Sequence, residues 1–301
     1  MPLKEDIRKL RTEQANAASA DLDTRTALEI ATIINTEDAK VARAVKKSLP
    51  QIARAIDAIA DAFSRGGRLF YVGAGTSGRI AALDASEMPP TYSTDPETVQ
   101  YVIAGGEKAL GAAVEANEDS RVLGEQDIAA RRITKRDVVI GIAASGRTPY
   151  TIAAVEYARR KGAGTIAVVC NTGSPLAAAA DIAIEVIVGP EVVSGSTRMK
   201  AGTAQKMVLN MLSTGAMVRR GYVYGNLMVN VHTKNEKLVE RAISILQRAA
   251  EVDRDQAERA LNDSGMSVPV ALVMLKTGLP KAKAAQRLKA TKGNVRQALE
   301  G

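Results

Sequence analysis

Five short, near-continuous apolar runs, 68–73, 99–104, 137–143, 165–170 and 182–188, alternate along this chain with segments of helical periodicity. A strand that is apolar at every position is buried on both faces, and a sheet covered by crossover helices on both faces is parallel. The pattern predicts an α/β fold: a doubly wound, flavodoxin-like sheet of five parallel strands. Aromatic residues make up only 3% of the chain and Trp is absent, so helices built from small side chains can lie close against such a sheet. Three amphipathic helices are expected before it: one from Thr26, a second after Thr36-Glu37-Asp38 and a third from Pro50 to about Ser64. Apolar helices over 202–220 and 233–248 close the unit. After Val252, breaks at Ser264-Gly265, Thr277-Gly278 and Lys292-Gly293 mark a small bundle read as three helices. The expected organisation is an N-terminal segment and helices over 1–55, the α/β domain over 56–250 and a helical domain over 251–301.

Composition narrows the function classes. One cysteine excludes an internal disulfide framework and fits a reducing compartment. No run approaches a membrane span, and MPLKEDIRKLRTEQ lacks the apolar core of a signal peptide, so the expectation is a cytoplasmic protein with no membrane partner. The formal charge of +8 steers anions towards the chain. Basic residues in the tail read as a solvated helical face, and no aromatic stacking platform accompanies them. Nucleic acid is therefore not expected as a partner.

The run LFYV at 69–72 feeds GAGTSGR at 73–79, which opens into the helical pattern Ile80-Ala81-Ala82-Leu83. A strand, a glycine-rich turn and a helix start make an anion site, because the first N–H groups of the helix have no partner within it. Thr76 and Ser77 add hydroxyls. The dinucleotide fingerprint also matches, at Gly73, Gly75 and Gly78, but VQYVIAGGEK carries no carboxylate for a ribose at the end of the second strand. A second loop, ASGRTPY at 144–150, follows the third strand and offers Ser145, Arg147 and Thr148. Ligands of open α/β sheets bind outside the carboxyl ends of the strands, and two such loops suit a compact phosphate better than a dinucleotide. GPEVVSGSTRMKAGTAQK at 189–206 adds Ser194, Ser196, Thr197, Arg198 and Lys200 before a helix start. Taken alone, it reads equally as a helix cap with solvated basic residues or as ligand contacts.

GAGTSGR, DASEMPPT, GIAASGRTPY, CNTGSP, the segment from Gly189 to Met217 and YGNLMVNVHTKNEKL together resemble the N-acetylmuramic acid 6-phosphate etherases, members of the sugar isomerase (SIS) fold group. The resemblance runs from about Thr12 to the C-terminus. The 189–219 stretch is shared with the related glucokinase regulatory protein, whereas the GTS and SGRT pieces occur across sugar isomerase domains. It implies a lyase that splits the lactyl ether of N-acetylmuramic acid 6-phosphate into N-acetylglucosamine 6-phosphate and D-lactate. No cofactor or metal is implied: the ether lies β to the aldehyde of the ring-opened sugar, so loss of the C2 proton lets lactate leave and water then adds at C3. Such chemistry needs an acid/base pair and a grip on phosphate.

The resemblance supplies Glu87, in DASEMPPT, and Glu118, in NEDS, as the catalytic pair. Glu87 is assigned as the acid that protonates lactate and then activates water, and Glu118 as its partner and candidate C2 base, with the reverse split of roles left open. Thr76, Ser77, Ser145, Arg147, Thr148, Ser194 and Lys200 are the expected substrate contacts. A carboxyl that donates a proton near neutral pH needs desolvation or a neighbouring carboxylate. The sequence departs from the family at Ala15 (usually Arg), Met88 (commonly Cys), Ser93 (usually Gly) and Asn117 (usually Gly). His232 and Cys170 are read as structural. Sugar isomerase domains commonly pair, and the excess apolar surface of 202–220 points to a homodimer. The alternatives are a non-catalytic sugar-phosphate sensor and an aldose–ketose isomerase on the same fold.

Overall fold

The computed structural model describes residues 10–114, 117–233 and 235–300. Residues 1–9, part of the segment read above for the lack of a signal core, lie outside the described residues. The chain divides into two compact units, one of Met1–Ala85 and Val99–Ser213, the other of Ser86–Thr98 and Thr214–Gly301. Neither is continuous in sequence, because the helices Gly75–Tyr92 and Lys200–Arg220 each contribute to both.

Among the described residues, the first unit opens with three short 3-10 turns, Arg11–Glu13, Ala17–Ser19 and Leu22–Thr24, then α1 (Ala27–Asp38), α2 (Val41–Lys46) and α3 (Leu49–Ser64). Thr26 starts α1 through a capping box with Glu29. On α3, Ile52, Ala55, Ile59, Ala62 and Phe63 recur at helical spacing and are all buried. There follow β1 (Leu69–Gly73), α4 (Gly75–Tyr92), β2 (Val99–Ile103), α5 (Lys108–Gly111), α6 (Arg121–Ala129), β3 (Val138–Ala143), α7 (Pro149–Arg160), β4 (Gly164–Val169), α8 (Pro175–Ala179), β5 (Ile182–Glu185) and α9 (Lys200–Arg220).

The five strands pair in the order β2-β1-β3-β4-β5, every pair parallel, as the apolar runs predict. Every residue of β1 and β3 is buried, which is why these strands read as unbroken apolar runs. Phe70, Val72, Val139, Ala143, Tyr150, Val155 and Leu176 belong to one core cluster. Strand order reverses between β1 and β3. Connections after the two strands leave in opposite directions there and open a crevice at their carboxyl ends.

In the second unit β6 (Val223–Tyr224) and β7 (Leu227–Met228) form a small antiparallel hairpin. It is followed by α10 (Glu236–Ala250), α11 (Arg254–Asp263), α12 (Val268–Thr277), α13 (Lys281–Ala290) and α14 (Val295–Glu300). Ile243, Leu246, Leu261, Leu272 and Leu288 are buried together in its core. Four helices follow Val252 where three were expected, because the chain turns back into a last short helix beyond the break at Lys292-Gly293. None of the described helices is long and apolar enough to cross a membrane.

Candidate functional site

The two hydroxyl-rich loops emerge from neighbouring strands at the switch point, since Gly73 at the end of β1 pairs in register with Ile142 of β3. In the β1 loop the first α4 hydrogen bond runs from the Gly78 N–H to the Ala74 carbonyl at 3.1 Å. The N–H groups of Gly75, Thr76 and Ser77 thus precede any intrahelical partner and carry the positive end of the helix dipole. Gly78 lets α4 lie against β2: a Cβ there would stand 2.5 Å from Ile103 Cγ1. Gly75 has φ +50°, and a Cβ on it would stand 3.2 Å from Glu118 Oε1. The Glu118 carboxylate therefore lies directly beside the β1 loop.

Glu118 is held there by its main chain. Its carbonyl accepts from the Tyr150 N–H at 3.1 Å, and two residues later Ser120 caps α6 by accepting from Leu123 N–H. The Tyr150 hydroxyl in turn donates to Asp127 Oδ2 at 2.6 Å. In the β3 loop, Ser145 Oγ accepts from the Arg147 N–H at 3.1 Å, and Arg147 Nη1 donates to the Ser145 carbonyl at 3.0 Å. Thr148 is the N-cap of α7, yet its side chain makes no capping bond. Its hydroxyl is not committed to the helix.

Helix α9 completes the setting. A Cβ on Gly202 would sit 3.5 Å from Thr76 Cγ2, so the first turn of α9 lies against the β1 loop. Ser77, 8% exposed, donates from Oγ to Gln205 Oε1 at 3.0 Å. Buried Glu191 accepts from the N–H groups of Lys200 and Ala201, both at 2.9 Å, and so caps α9 from a distance in sequence. Burial holds the Glu191 carboxyl above its ordinary pKa, with the two N–H donors opposing. Lys200 is 1% exposed, and its Nζ lies 2.6 Å from Glu37 Oε2. The ammonium named above as a substrate contact is thus paired inside the unit. Burial alone would raise the pKa of Glu37, but hydrogen bonds from Lys200 and Lys40 outweigh it and hold the carboxyl at about 2. Ser194 is exposed and lines a shallow groove of about 480 Å³ with Ser19, Leu22, Asp23 and Val192.

The N-terminal segment is strapped across the ends of β3 and β4. Arg11 N–H donates to Asn171 Oδ1 at 2.9 Å, and Asn171 Nδ2 donates to Thr12 Oγ1 and to the Ala144 carbonyl, both at 3.1 Å. Ser19 Oγ donates to the Val192 carbonyl at 2.7 Å. Ala15 sits in this strap and is exposed. Cys170 is buried, with its thiol pushed up to about 12 by desolvation and the nearby Glu191 charge. Glu87 belongs to the second unit, on the later turns of α4, and is exposed. His232, in the same unit, is half-buried.

Sequence reasoning passed over Glu37, Glu191 and Gln205. For Gln205 a signal existed: it interrupts the buried stripe Ala201, Ala204, Val208, Leu212 of α9 with a polar side chain that is itself 1% exposed. A buried polar residue on an apolar stripe requires a partner.

A parallel sheet of this order, with serine- and threonine-bearing helix starts at its switch point, defines a sugar-isomerase-type (SIS) domain. Residues 51–159 match the glucokinase regulatory protein N-terminal SIS domain, residues 124–215 the SIS domain, and residues 225–266 the C-terminal lid domain of glucokinase regulatory protein. The chain is 52% identical over 294 residues to N-acetylmuramic acid 6-phosphate etherase 1 of Enterococcus faecalis, covering 98% of each. It is 52% identical over 297 residues to N-acetylmuramic acid 6-phosphate etherase 1 of Vibrio cholerae, covering 99% of each. With the N-acetylmuramic acid 6-phosphate etherase of Symbiobacterium thermophilum it shares 58% identity over 274 residues, 91% of each chain. The chain belongs to the N-acetylmuramic acid 6-phosphate etherase family.

Proposed function

We propose that the protein is a carbon–oxygen lyase that cleaves the D-lactyl ether of N-acetylmuramic acid 6-phosphate. Near full-length similarity to etherases supports the substrate. The observation that carries the chemistry is the Glu118 carboxylate beside the Gly75–Ser77 loop, a proton-transfer group next to an anion cradle. In the ring-opened sugar a base takes the C2 proton, and the electron pair is delocalised onto the C1 carbonyl oxygen. Its return expels the lactate oxygen from C3, which takes a proton from an acid. Water then adds across the C2=C3 double bond and gives N-acetylglucosamine 6-phosphate. Glu118 as base and Glu87 as acid fill these roles, an assignment resting on the family resemblance of NEDS and DASEMPPT.

Ser77, Ser145 and Thr148, with the α4 and α7 helix starts, are the proposed holders of the 6-phosphate, supported by Thr76 and Arg147. Ser194 stays a proposed contact to the rest of the sugar. Lys200 contributes through the α9 start that it anchors to Glu37. A homodimer in the cytoplasm is part of the reading, and light scattering at assay concentration should give twice the chain mass of 31.8 kDa. The match of residues 225–266 to a regulatory protein's lid domain favours a sugar-phosphate sensor as the second reading. Incubation with N-acetylmuramic acid 6-phosphate separates them: the lyase releases D-lactate in step with N-acetylglucosamine 6-phosphate. Tight binding without lactate would leave the sensor.

A further inference from the structure

The β1 loop meets one polar side chain that this chemistry has not used. Gln205 lies on the buried stripe of α9 and accepts the Ser77 hydroxyl proton on Oε1 at 3.0 Å, while its Nε2 is buried without a hydrogen-bond partner. Two demands go unmet in that orientation. A buried amide N–H with no acceptor loses the hydrogen bonds that water gives it. Serine also has a single proton. While that proton points at Gln205, Ser77 offers a phosphate only lone pairs, which an anion repels.

A half-turn of the terminal amide answers both demands. It brings Nε2–H against Ser77 Oγ as a donor and frees the Ser77 O–H to point outward. What remains is a carbonyl oxygen with fewer partners, which folded proteins tolerate more readily than a bare N–H. We propose that Gln205 is the positioning residue of the phosphate loop: its amide donates to Ser77 Oγ and thereby makes Ser77 a donor to the phosphoryl group. The inference rests on the reading of this loop as the 6-phosphate site and extends it to a residue buried beneath the loop. Glutamine suits the task because it presents a donor and an acceptor on one rotor and stays neutral in both orientations. A glutamate at this position would only accept and would add a negative charge under the phosphate.

Gln205→Glu and Gln205→Met test this, with calorimetric binding of N-acetylglucosamine 6-phosphate and of unphosphorylated N-acetylglucosamine, and with steady-state kinetics. Gln205→Glu should weaken the phosphorylated sugar about tenfold or more and leave the unphosphorylated one alone, because it locks the Ser77 proton inward. Its KM should rise far more than its kcat falls. Gln205→Met keeps the buried volume and covers the case in which the charged variant fails to fold. It should raise KM severalfold in the natural background and add nothing in a Ser77→Ala background, where no hydroxyl is left to orient. A structural role would give the same loss in both backgrounds, for both sugars, and that result overturns the proposal. So does unchanged binding of the phosphorylated sugar by Gln205→Glu, or no preference for phosphate in the natural protein. Phosphate-selective binding without lactate release would instead sink the etherase reading and leave Gln205 in its role.

Discussion

Ser93 carries a backbone that L-residues avoid: its φ is +52°, and its Oγ is buried with no hydrogen-bond partner. The etherase resemblance marks this position as usually glycine, and the left-handed turn after α4 is the physical reason. Ser93→Gly removes the Cβ conflict and the orphaned hydroxyl together, which should stabilise the protein by about 1–2 kcal/mol. Thermal unfolding reads this as a rise of a few degrees, and a fall in midpoint would contradict it. The Glu37–Lys200 pair makes the opposite case. Removing one partner leaves a buried charge, so Glu37→Ala should cost roughly 3–5 kcal/mol. The pH dependence follows from the pKa of about 2 for Glu37 in the folded chain, below the unfolded carboxylate value of about 4.3. A depressed folded pKa contributes stability above the unfolded value, and that stability is lost as pH falls from about 4.3 through about 2. Denaturant midpoints measured down this range should drop for the natural protein more steeply than for Glu37→Gln.

Helices α4 and α9 support the β1 loop proposed to hold phosphate, and much of that support is hidden in the sequence. The fully buried strands announce themselves because each residue contributes to the pattern, and Thr26-x-x-Glu29 announces α1 because both partners of the capping box are local. Thr76, Ser77, Ser145 and Thr148 stand out as candidates for the same reason: each lies just after an apolar run and at or just before a helix start. Gln205 and Ser77 are separated by 128 positions, and Glu37 and Lys200 by 163. No periodicity within a window of one element connects them. Asp84 shows the same at the level of the helix pair: it accepts from Tyr71 of β1 at 2.7 Å, and from Asn210 and Ser213 of α9 at 2.7 and 3.2 Å. The middle of α4 is therefore tied to strand and helix by side-chain hydrogen bonds. Gly78→Ala tests the element directly, since its Cβ would stand 2.5 Å from Ile103 Cγ1. Forcing α4 off β2 should cost about 1–3 kcal/mol of stability and raise KM for the phosphorylated substrate. Retention of both natural values would show that α4 does not need this close approach.

Two proton-transfer groups are needed by the proposed reaction, and the two residues proposed for them, Glu118 and Glu87, are assigned distinct roles. These roles are separable by experiment. Glu87→Gln keeps shape and polarity but removes the transferable proton. General acid–base loss typically lowers the rate about 10²–10⁴-fold, and lactate release should fall by that order. Binding should hold, because the Ser77 and Thr148 loops are unaltered. If Glu118 is the C2 base, Glu87→Gln should still exchange the C2 hydrogen of the substrate with deuterated solvent while releasing little lactate. Glu118→Gln should lose exchange and release alike. Normal turnover by Glu87→Gln would remove it from the mechanism. If it instead loses exchange together with lactate release, Glu87 is the C2 base and the two roles are reversed.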